Sequence, residues 1–168
     1  IIEKVTAAYI IGEGKNLYNE GAYSVALAKF RNALEKDKNN AEATYWIAEC
    51  HLSLRNYDKA IENAEAALLI DPEVFKEAPY LLGVSYHRMG ELDKSLENFK
   101  KLKTVLSPTR AKELNVDFKI AEVERAKTMI AAPVNVNISS LGIHVNSPQD
   151  EYSLVYSSNK ESIVFYFS

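Results

Sequence analysis

The residues of this chain that most often do chemistry are three histidines and one cysteine. His51, His87 and His144 lie far apart, whereas metal sites in proteins place histidines, cysteines and acids at short, recognisable intervals. Cys50 alone adds little to such a set. We therefore expect no metal site, and we interpret His51, which falls on an apolar helical stripe, as a buried imidazole with satisfied hydrogen bonds.

An adjacent acidic pair, Asp150-Glu151, is the remaining candidate for paired catalytic or metal-binding carboxylates. Successive residues of a strand point to opposite faces, so we interpret the pair as a turn acid and a strand contact. The sequence contains no GxSxG motif, no phosphate-binding loop and no HExxH motif. We expect no catalytic residue and no cofactor, and the chain is not predicted to be an enzyme.

Composition and charge argue against two further classes of function. The 168 residues include 20 basic and 23 acidic side chains, so the net charge of −3 provides no positive excess for binding nucleic acid. No stretch approaches the roughly 18 consecutive apolar residues that a membrane-spanning helix requires. The sequence therefore predicts no nucleic-acid partner and no direct membrane span.

A pattern of small and aromatic residues recurs with a period of about 34 residues. The three copies read Gly14, Leu17, Gly21, Tyr23, Ala26, Phe30 and Ala33; Ala48, His51, Arg55, Tyr57, Ala60, Ala64 and Ala67; and Gly83, Tyr86, Gly90, Leu92, Ser95, Phe99 and Leu102. Within each period, apolar residues recur every three or four positions, which is typical of amphipathic helices. Such a repeat predicts helix pairs stacked into a solenoid, a fold that usually holds other molecules.

Prolines and small residues mark the ends of these helices and the contacts between them. Pro72 and Pro108 are expected to end the second helix of their repeats, because proline has no amide hydrogen and restricts the residue before it. Gly14, Ala48 and Gly83 are small where the two helices of a repeat must approach closely. The spacing therefore predicts tight helical hairpins.

These residues and offsets resemble the tetratricopeptide repeat family over residues 7–40, 41–75 and 76–109. The resemblance implies a domain over residues 1–132. Its fold would be an all-α superhelix of three helix-turn-helix repeats plus a capping helix, followed by a short C-terminal β segment. It also implies a non-catalytic role in protein–protein interaction.

Residues 110–130 are predicted to form that capping helix as one longer helix. It carries two apolar stripes, one of Ala111, Leu114, Phe118 and Ala121, and another of Val116, Ile120, Val123 and Ile130. We expect the first stripe to cover the third repeat, since a terminal repeat needs a cap. The second stripe is expected to cover the tail that follows.

The candidate binding surface is the concave face formed by the first helix of each repeat. Its residues are Lys15, Tyr18 and Asn19 in repeat one, Tyr45, Glu49 and Leu52 in repeat two, and Tyr80, Val84, His87 and Arg88 in repeat three. The three tyrosines are candidate anchors for a partner, because tyrosine offers a large contact area and a polar tip. The alternative is that they pack between neighbouring helices.

Some tetratricopeptide proteins clamp the terminal carboxylate of a peptide with lysine, asparagine and arginine on these helices. Lys15 matches one clamp position, but Tyr45, Glu49 and Val84 do not reproduce the set. The resemblance therefore does not imply a receptor for chaperone tails. Trp46 is expected to fill the contact with the first repeat rather than to bind a ligand.

Residues 133–168 have a different character, with up to four short alternating segments separated by turn residues. Leu141-Gly142, Val145-Asn146-Ser147, Asp150-Glu151-Tyr152 and Phe165-Tyr166-Phe167-Ser168 resemble the start of a PD40 (WD40-like) propeller blade. A lone blade has unpaired strand edges, so this tail is expected to dock on the helices or to self-associate.

The order of repeats, helix and PD40-like blade resembles the amino-terminal part of OmpA-family envelope proteins of Bacteroidetes, including a component of the type IX secretion system. That resemblance implies a periplasmic, outer-membrane-associated scaffold whose partners are envelope or secretion components. Two alternatives remain open. In the first, the repeats would be a rigid spacer and a propeller would bind the partner. In the second, the chain would be a general adaptor outside secretion.

Overall fold

The computed structural model describes residues 2–73, 75–133, 154–158 and 163–167. The chain divides into two compact units, residues 1–132 and residues 133–168. The described part of the first unit consists of the helices α1 (Ile2–Asn19), α2 (Tyr23–Lys36), α3 (Ala41–Ser53), α4 (Tyr57–Ile70), α5 (Ala78–Arg88), α6 (Leu92–Val105), α7 (Pro108–Glu113) and α8 (Val116–Ala131). None of these helices is both long and apolar enough to cross a membrane.

The first six helices pair as three hairpins, α1 with α2, α3 with α4, and α5 with α6. Helix α2 packs on α3 and α4 packs on α5, so that each hairpin stacks on the next, and α8 packs on α6. The buried side chains form three successive clusters, which contain Phe30, Leu81 and Phe99. The predicted all-α superhelix of stacked helical hairpins is therefore confirmed.

Two glycines explain how closely the helices of the first and third hairpins approach. A Cβ atom on Gly14 would lie 2.6 Å from Cε1 of Phe30, and one on Gly83 would lie 2.8 Å from Cε1 of Phe99. Both phenylalanine rings are fully buried. The ring of the second helix therefore occupies the space that a larger side chain on the first helix would need.

The turns within the hairpins share one backbone conformation but not one residue type. Gly21 and Gly90 have φ values of +80° and +79°. Arg55 occupies the corresponding turn of the second hairpin with φ of +59°. A residue with a Cβ is strained in this left-handed region, so the second turn is less favourable than the other two.

The single capping helix predicted for residues 110–130 is two helices. Helix α7 ends at Glu113 and α8 begins at Val116, and between them Asn115 has φ of +51°. Asparagine tolerates the left-handed conformation because its short polar side chain bonds locally. The chain therefore turns at Asn115, which the continuous apolar periodicity did not reveal.

Residues of both predicted apolar stripes cap the third hairpin. Val116 and Val123 are fully buried against Phe99 and Leu102 of α6, whereas Phe118 is 60% exposed. Ala111 and Leu114, from the stripe predicted to cap the third hairpin, pack on the same cluster, so that prediction holds for α7. In α8 the stripe expected to cover the tail takes over this role, because the orientation of α8 depends on the break that precedes it.

The described part of the second unit is a two-stranded antiparallel hairpin. Strand β1 (Leu154–Ser158) pairs with β2 (Ile163–Phe167), with Leu154 opposite Phe167 and Ser158 opposite Ile163. The other strands predicted for the tail, within 134–138 and 141–145, lie outside the described residues. The PD40-like blade, its docking and its self-association stay predictions.

Candidate functional site

The candidate surface is built by equivalent positions of α1, α3 and α5, because the repeat places every first helix in the same orientation to its neighbours. On α3, a carboxylate lies between two tyrosines. The Tyr45 hydroxyl donates to Oε1 of Glu49 at 2.6 Å, and the Tyr18 hydroxyl of α1 donates to Oε2 at 3.4 Å. Ser53 Oγ lies 3.0 Å from the Tyr18 oxygen and can donate to it. We call Tyr18, Tyr45 and Glu49 the tyrosine–glutamate cluster.

Burial is the largest influence on the pKa of Glu49 and raises it above the ordinary value. The hydrogen bonds from Tyr45 and Tyr18 act in the opposite direction, and the nearby carboxylate of Glu77 raises this pKa further. Within the described residues, no lysine, arginine or histidine lies within ion-pair distance of Glu49. The carboxylate is therefore desolvated without a compensating positive charge.

The same interactions act on the two phenols. Burial, opposed by the hydrogen bond with Ser53, raises the pKa of Tyr18 to about 12. Burial and the charge of Glu49 raise the pKa of Tyr45 well above its ordinary range. Both hydroxyls therefore keep their protons at any physiological pH and remain hydrogen-bond donors to Glu49.

Aromatic rings surround the tyrosine–glutamate cluster. Phe75 stacks on Tyr45 with 3.9 Å between ring centroids and 17° between ring planes. Trp46 meets Tyr18 edge-on at 5.2 Å and stacks on Phe30 at 5.8 Å. The prediction that Trp46 fills the contact with the first repeat is therefore confirmed.

These groups form the wall of an open cleft of about 380 Å³. Its lining residues are Tyr45, Trp46, Glu49, Phe75, Lys76 and Glu77. The last three come from the connection between α4 and α5, which the sequence analysis did not include in the site. Whether these three residues line the cleft depends on where the connection folds back. The sequence feature that could have indicated them was an aromatic residue, Phe75, in a polar turn between helices.

Two carboxylates beside this cleft are ion-paired. The ammonium of Lys15 pairs with Glu42 and lies 5.5 Å from the centroid of the Trp46 ring. The guanidinium of Arg110, from α7, donates Nε to Glu77 Oε1 at 2.6 Å and Nη2 to Oε2 at 3.0 Å. Glu42 and Glu77 thus each have a basic partner, in contrast to Glu49.

The predicted residues of α5 do not join the tyrosine–glutamate cluster. Tyr80 and Val84 pack against the cluster around Phe99, with 6.1 Å between the Tyr80 and Phe99 rings. His87 and the exposed Arg88 lie near Glu122 of α8, where both help Lys119 to lower the pKa of that acid. The structure therefore brings together Tyr18, Tyr45 and Glu49 and separates the predicted residues of α5 from them.

The two remaining predicted residues have simple surroundings. Asn19 is exposed at the end of α1, and Leu52 packs on the middle cluster. His51 is buried, as predicted, and burial lowers its pKa. Its Nδ1 has no hydrogen-bond partner among the described residues, so the expectation of a fully satisfied imidazole was wrong.

The described residues form a solenoid of stacked helical hairpins with an open cleft lined partly by aromatic rings, which places the chain among helical-repeat proteins. Comparisons with known proteins indicate which repeat this is. Residues 11–74 match the model of the tetratricopeptide repeat family. The small glutamine-rich tetratricopeptide repeat-containing protein 2 of Saccharomyces cerevisiae is 29% identical over 100 residues, which cover 60% of this chain and 29% of that protein. The co-chaperone DNJ1 of Cryptococcus neoformans, which has tetratricopeptide repeats and a J domain, is 28% identical over 110 residues, 66% of this chain and 21% of its own.

Solved structures share the fold at lower identity. The type III secretion translocator chaperone SycD of Yersinia enterocolitica superposes with a TM-score of 0.67 and 19% identity, covering 74% of this chain and 87% of its own. The first repeat domain of Spaghetti (RPAP3), bound to an HSP90 peptide, gives a TM-score of 0.65 and 12% identity, covering 73% and 93%. Together these matches support a tetratricopeptide repeat domain, while the chain spans less than a third of the two curated relatives.

Proposed function

We propose that the helical unit is a non-catalytic scaffold that binds a segment of a partner protein in the cleft beside α3. The observation that carries this proposal is the open cleft in which Phe75, Tyr45 and Trp46 surround the carboxylate of Glu49. Rigid aromatic side chains provide a large contact area at low entropic cost, and they often dominate protein interfaces. A cleft of this composition suits an extended peptide or a helix.

Structural neighbours support the proposal by what is bound to them. One structure of SycD contains a peptide of the translocator YopD, and two RPAP3 repeat domains contain an HSP90 peptide. At these identities the shared feature is the fold alone. The inference for this chain therefore depends on its own cleft and not on the residues of those proteins.

A peptide-display selection on the full 168-residue chain tests the scaffold. We expect selected peptides whose affinity falls about tenfold in Phe75→Ala, because that ring forms one wall of the cleft. Leu69→Ala is the matched control, since Leu69 is 88% exposed on α4 and does not line the cleft. Thermal unfolding of both variants verifies that they are folded.

Two results would overturn this function. If selection returns no peptide, the repeats do not act as a peptide receptor, and the rigid-spacer alternative replaces the proposal. If peptides bind but lose the same affinity in Phe75→Ala and Leu69→Ala, the binding surface lies elsewhere on the molecule.

We also propose that the chain is the amino-terminal part of a periplasmic, outer-membrane-associated protein of the OmpA family, acting in type IX secretion. The support is the resemblance of residues 141–168 to a PD40-like blade that follows the repeats. The full sequence of the gene that encodes this chain tests the proposal, and we expect it to encode further PD40 blades and an OmpA-like domain downstream. Cell fractionation is a second test, and it should recover the protein with the outer membrane. A cytoplasmic product without these domains would support a general adaptor instead.

A further inference from the structure

We propose that the cleft is selective for a basic side chain, a lysine or an arginine of the partner segment, which pairs with Glu49. This inference rests on the proposed function and specifies the ligand of the same cleft. A carboxylate clamp uses basic side chains to bind the acidic terminus of a peptide. This cleft would bind the opposite charge, because the group that it offers to the ligand is the carboxylate of Glu49.

Charge compensation is the first argument. Among the described residues of the site, Glu42 has Lys15 and Glu77 has Arg110, but Glu49 has only phenolic donors. A desolvated carboxylate is costly unless it is paired, so a cation that reaches it recovers free energy that the unliganded site lacks. The basic side chain of the ligand thus supplies the positive charge that Glu49 lacks among the described residues of the chain.

Geometry is the second argument. Each carboxylate oxygen of Glu49 accepts one tyrosine hydroxyl and keeps a lone pair for a further donor. Tyr45, Phe75 and Trp46 provide apolar walls for the methylene stem of a lysine or arginine. The Lys15 ammonium near Trp46 is paired with Glu42, so it does not compensate the charge of Glu49.

Repulsion is the third argument. The groups that face Glu49 are the neutral phenols of Tyr18 and Tyr45 and the carboxylate of Glu77, while the cleft has one exposed cation, Lys76, among its described lining residues. An acidic peptide terminus placed there would approach the unpaired carboxylate of Glu49, whereas the charge of Glu77 is paired with Arg110. Like charges in a partly desolvated site disfavour such a ligand.

A double-mutant cycle tests the basic subsite with the peptides from the display selection. We expect these peptides to contain a lysine or arginine whose replacement by glutamine weakens binding to the wild-type chain about tenfold or more. The same replacement should have little effect on binding to Glu49→Gln, which keeps an oxygen acceptor for Tyr45. Glu62→Gln is the control, because it removes an equal charge from an exposed position of α4.

The pH dependence of peptide binding is a second measurement. A variant that only changed the shape of the cleft would not remove this dependence. Because the cation pairs with the ionised carboxylate, affinity for the basic peptides should rise as pH rises through the folded-state pKa of Glu49, which lies above its ordinary value, and this rise should vanish in Glu49→Gln. Peptides that depend on Phe75 but show no coupling to Glu49 would overturn the basic subsite and leave the scaffold intact. If no Phe75-dependent peptide is found, both proposals are overturned.

Discussion

Helices α3 and α5 occupy equivalent places in successive hairpins, yet their groove-facing residues differ. Tyr45 and Glu49 of α3 correspond to Tyr80 and Val84 of α5. In α3 the tyrosine donates to the acid, whereas in α5 the tyrosine and the valine pack on the apolar cluster around Phe99. A solenoid whose repeats contact mainly their neighbours can therefore give each repeat a different surface on one backbone frame.

The largest expected effect comes from making α5 resemble α3. Val84→Glu places a carboxylate beside the Phe99 cluster with one tyrosine, Tyr80, at the position of Tyr45, but Leu52 of α3 stands where α1 has the second donor, Tyr18. We therefore expect a loss of about 3 kcal/mol in the free energy of unfolding. Urea denaturation of the purified chain measures this loss. Val84→Leu keeps the site apolar and should cost much less; equal losses in the two variants would show that the α5 site is not specifically apolar.

The contact between the helices of a hairpin is the second point of difference. Gly83 of α5 lies under the ring of Phe99, whereas α3 has Ala48 at the equivalent position. Gly83→Ala should destabilise the chain by about 2 kcal/mol, because its Cβ would overlap the ring. Gly12→Ala is the control: its Cβ meets no atom within 4 Å, so the substitution should stabilise α1. A neutral Gly83→Ala would mean that the ring moves aside freely.

The repeat made the hairpins predictable, because residues at three- and four-residue spacing specify a helix face before any long-range contact forms. Tyr18, Tyr45 and Glu49 could be assigned to one surface for the same reason. Phe75 could not, since a residue in a connection has no helical periodicity to locate it. The cap shows the same limit, because the turn at Asn115 decides which residues of α8 face Phe99.

Glu49 of α3 is titratable, whereas Val84, the equivalent residue of α5, is not. The pH dependence of stability therefore probes this difference between the two helices. Because burial raises its pKa in the folded chain, the folded state binds this proton more tightly than the unfolded state. That contribution to stability is complete below about pH 4.5, the ordinary value, and is lost as pH rises through the folded-state pKa. The unfolding free energy of the wild type, relative to Glu49→Gln, should therefore fall as pH rises.

The comparison with Glu49→Gln also separates this effect from that of His51. Burial lowers the pKa of His51, so its contribution is present above the ordinary value and is lost as pH falls. Both proteins contain His51, and its contribution cancels in the difference. Chemical denaturation at a series of pH values measures that difference, and a flat profile would show that Glu49 is not desolvated in the folded chain.

The smallest expected effect lies in the turns that follow α3 and α5. Arg55 and Gly90 are equivalent residues with φ of +59° and +79°, and only glycine takes this conformation without strain. Arg55→Gly should relieve roughly 1–2 kcal/mol of backbone strain. Glycine also costs roughly 0.5–1 kcal/mol, because it gives the unfolded chain more conformational entropy. The net result should be a gain in stability of about 0.5 kcal/mol. Thermal unfolding measures this gain, and Gly90→Ala should show the opposite sign. A less stable Arg55→Gly would mean that the arginine side chain makes contacts that outweigh the strain of its backbone.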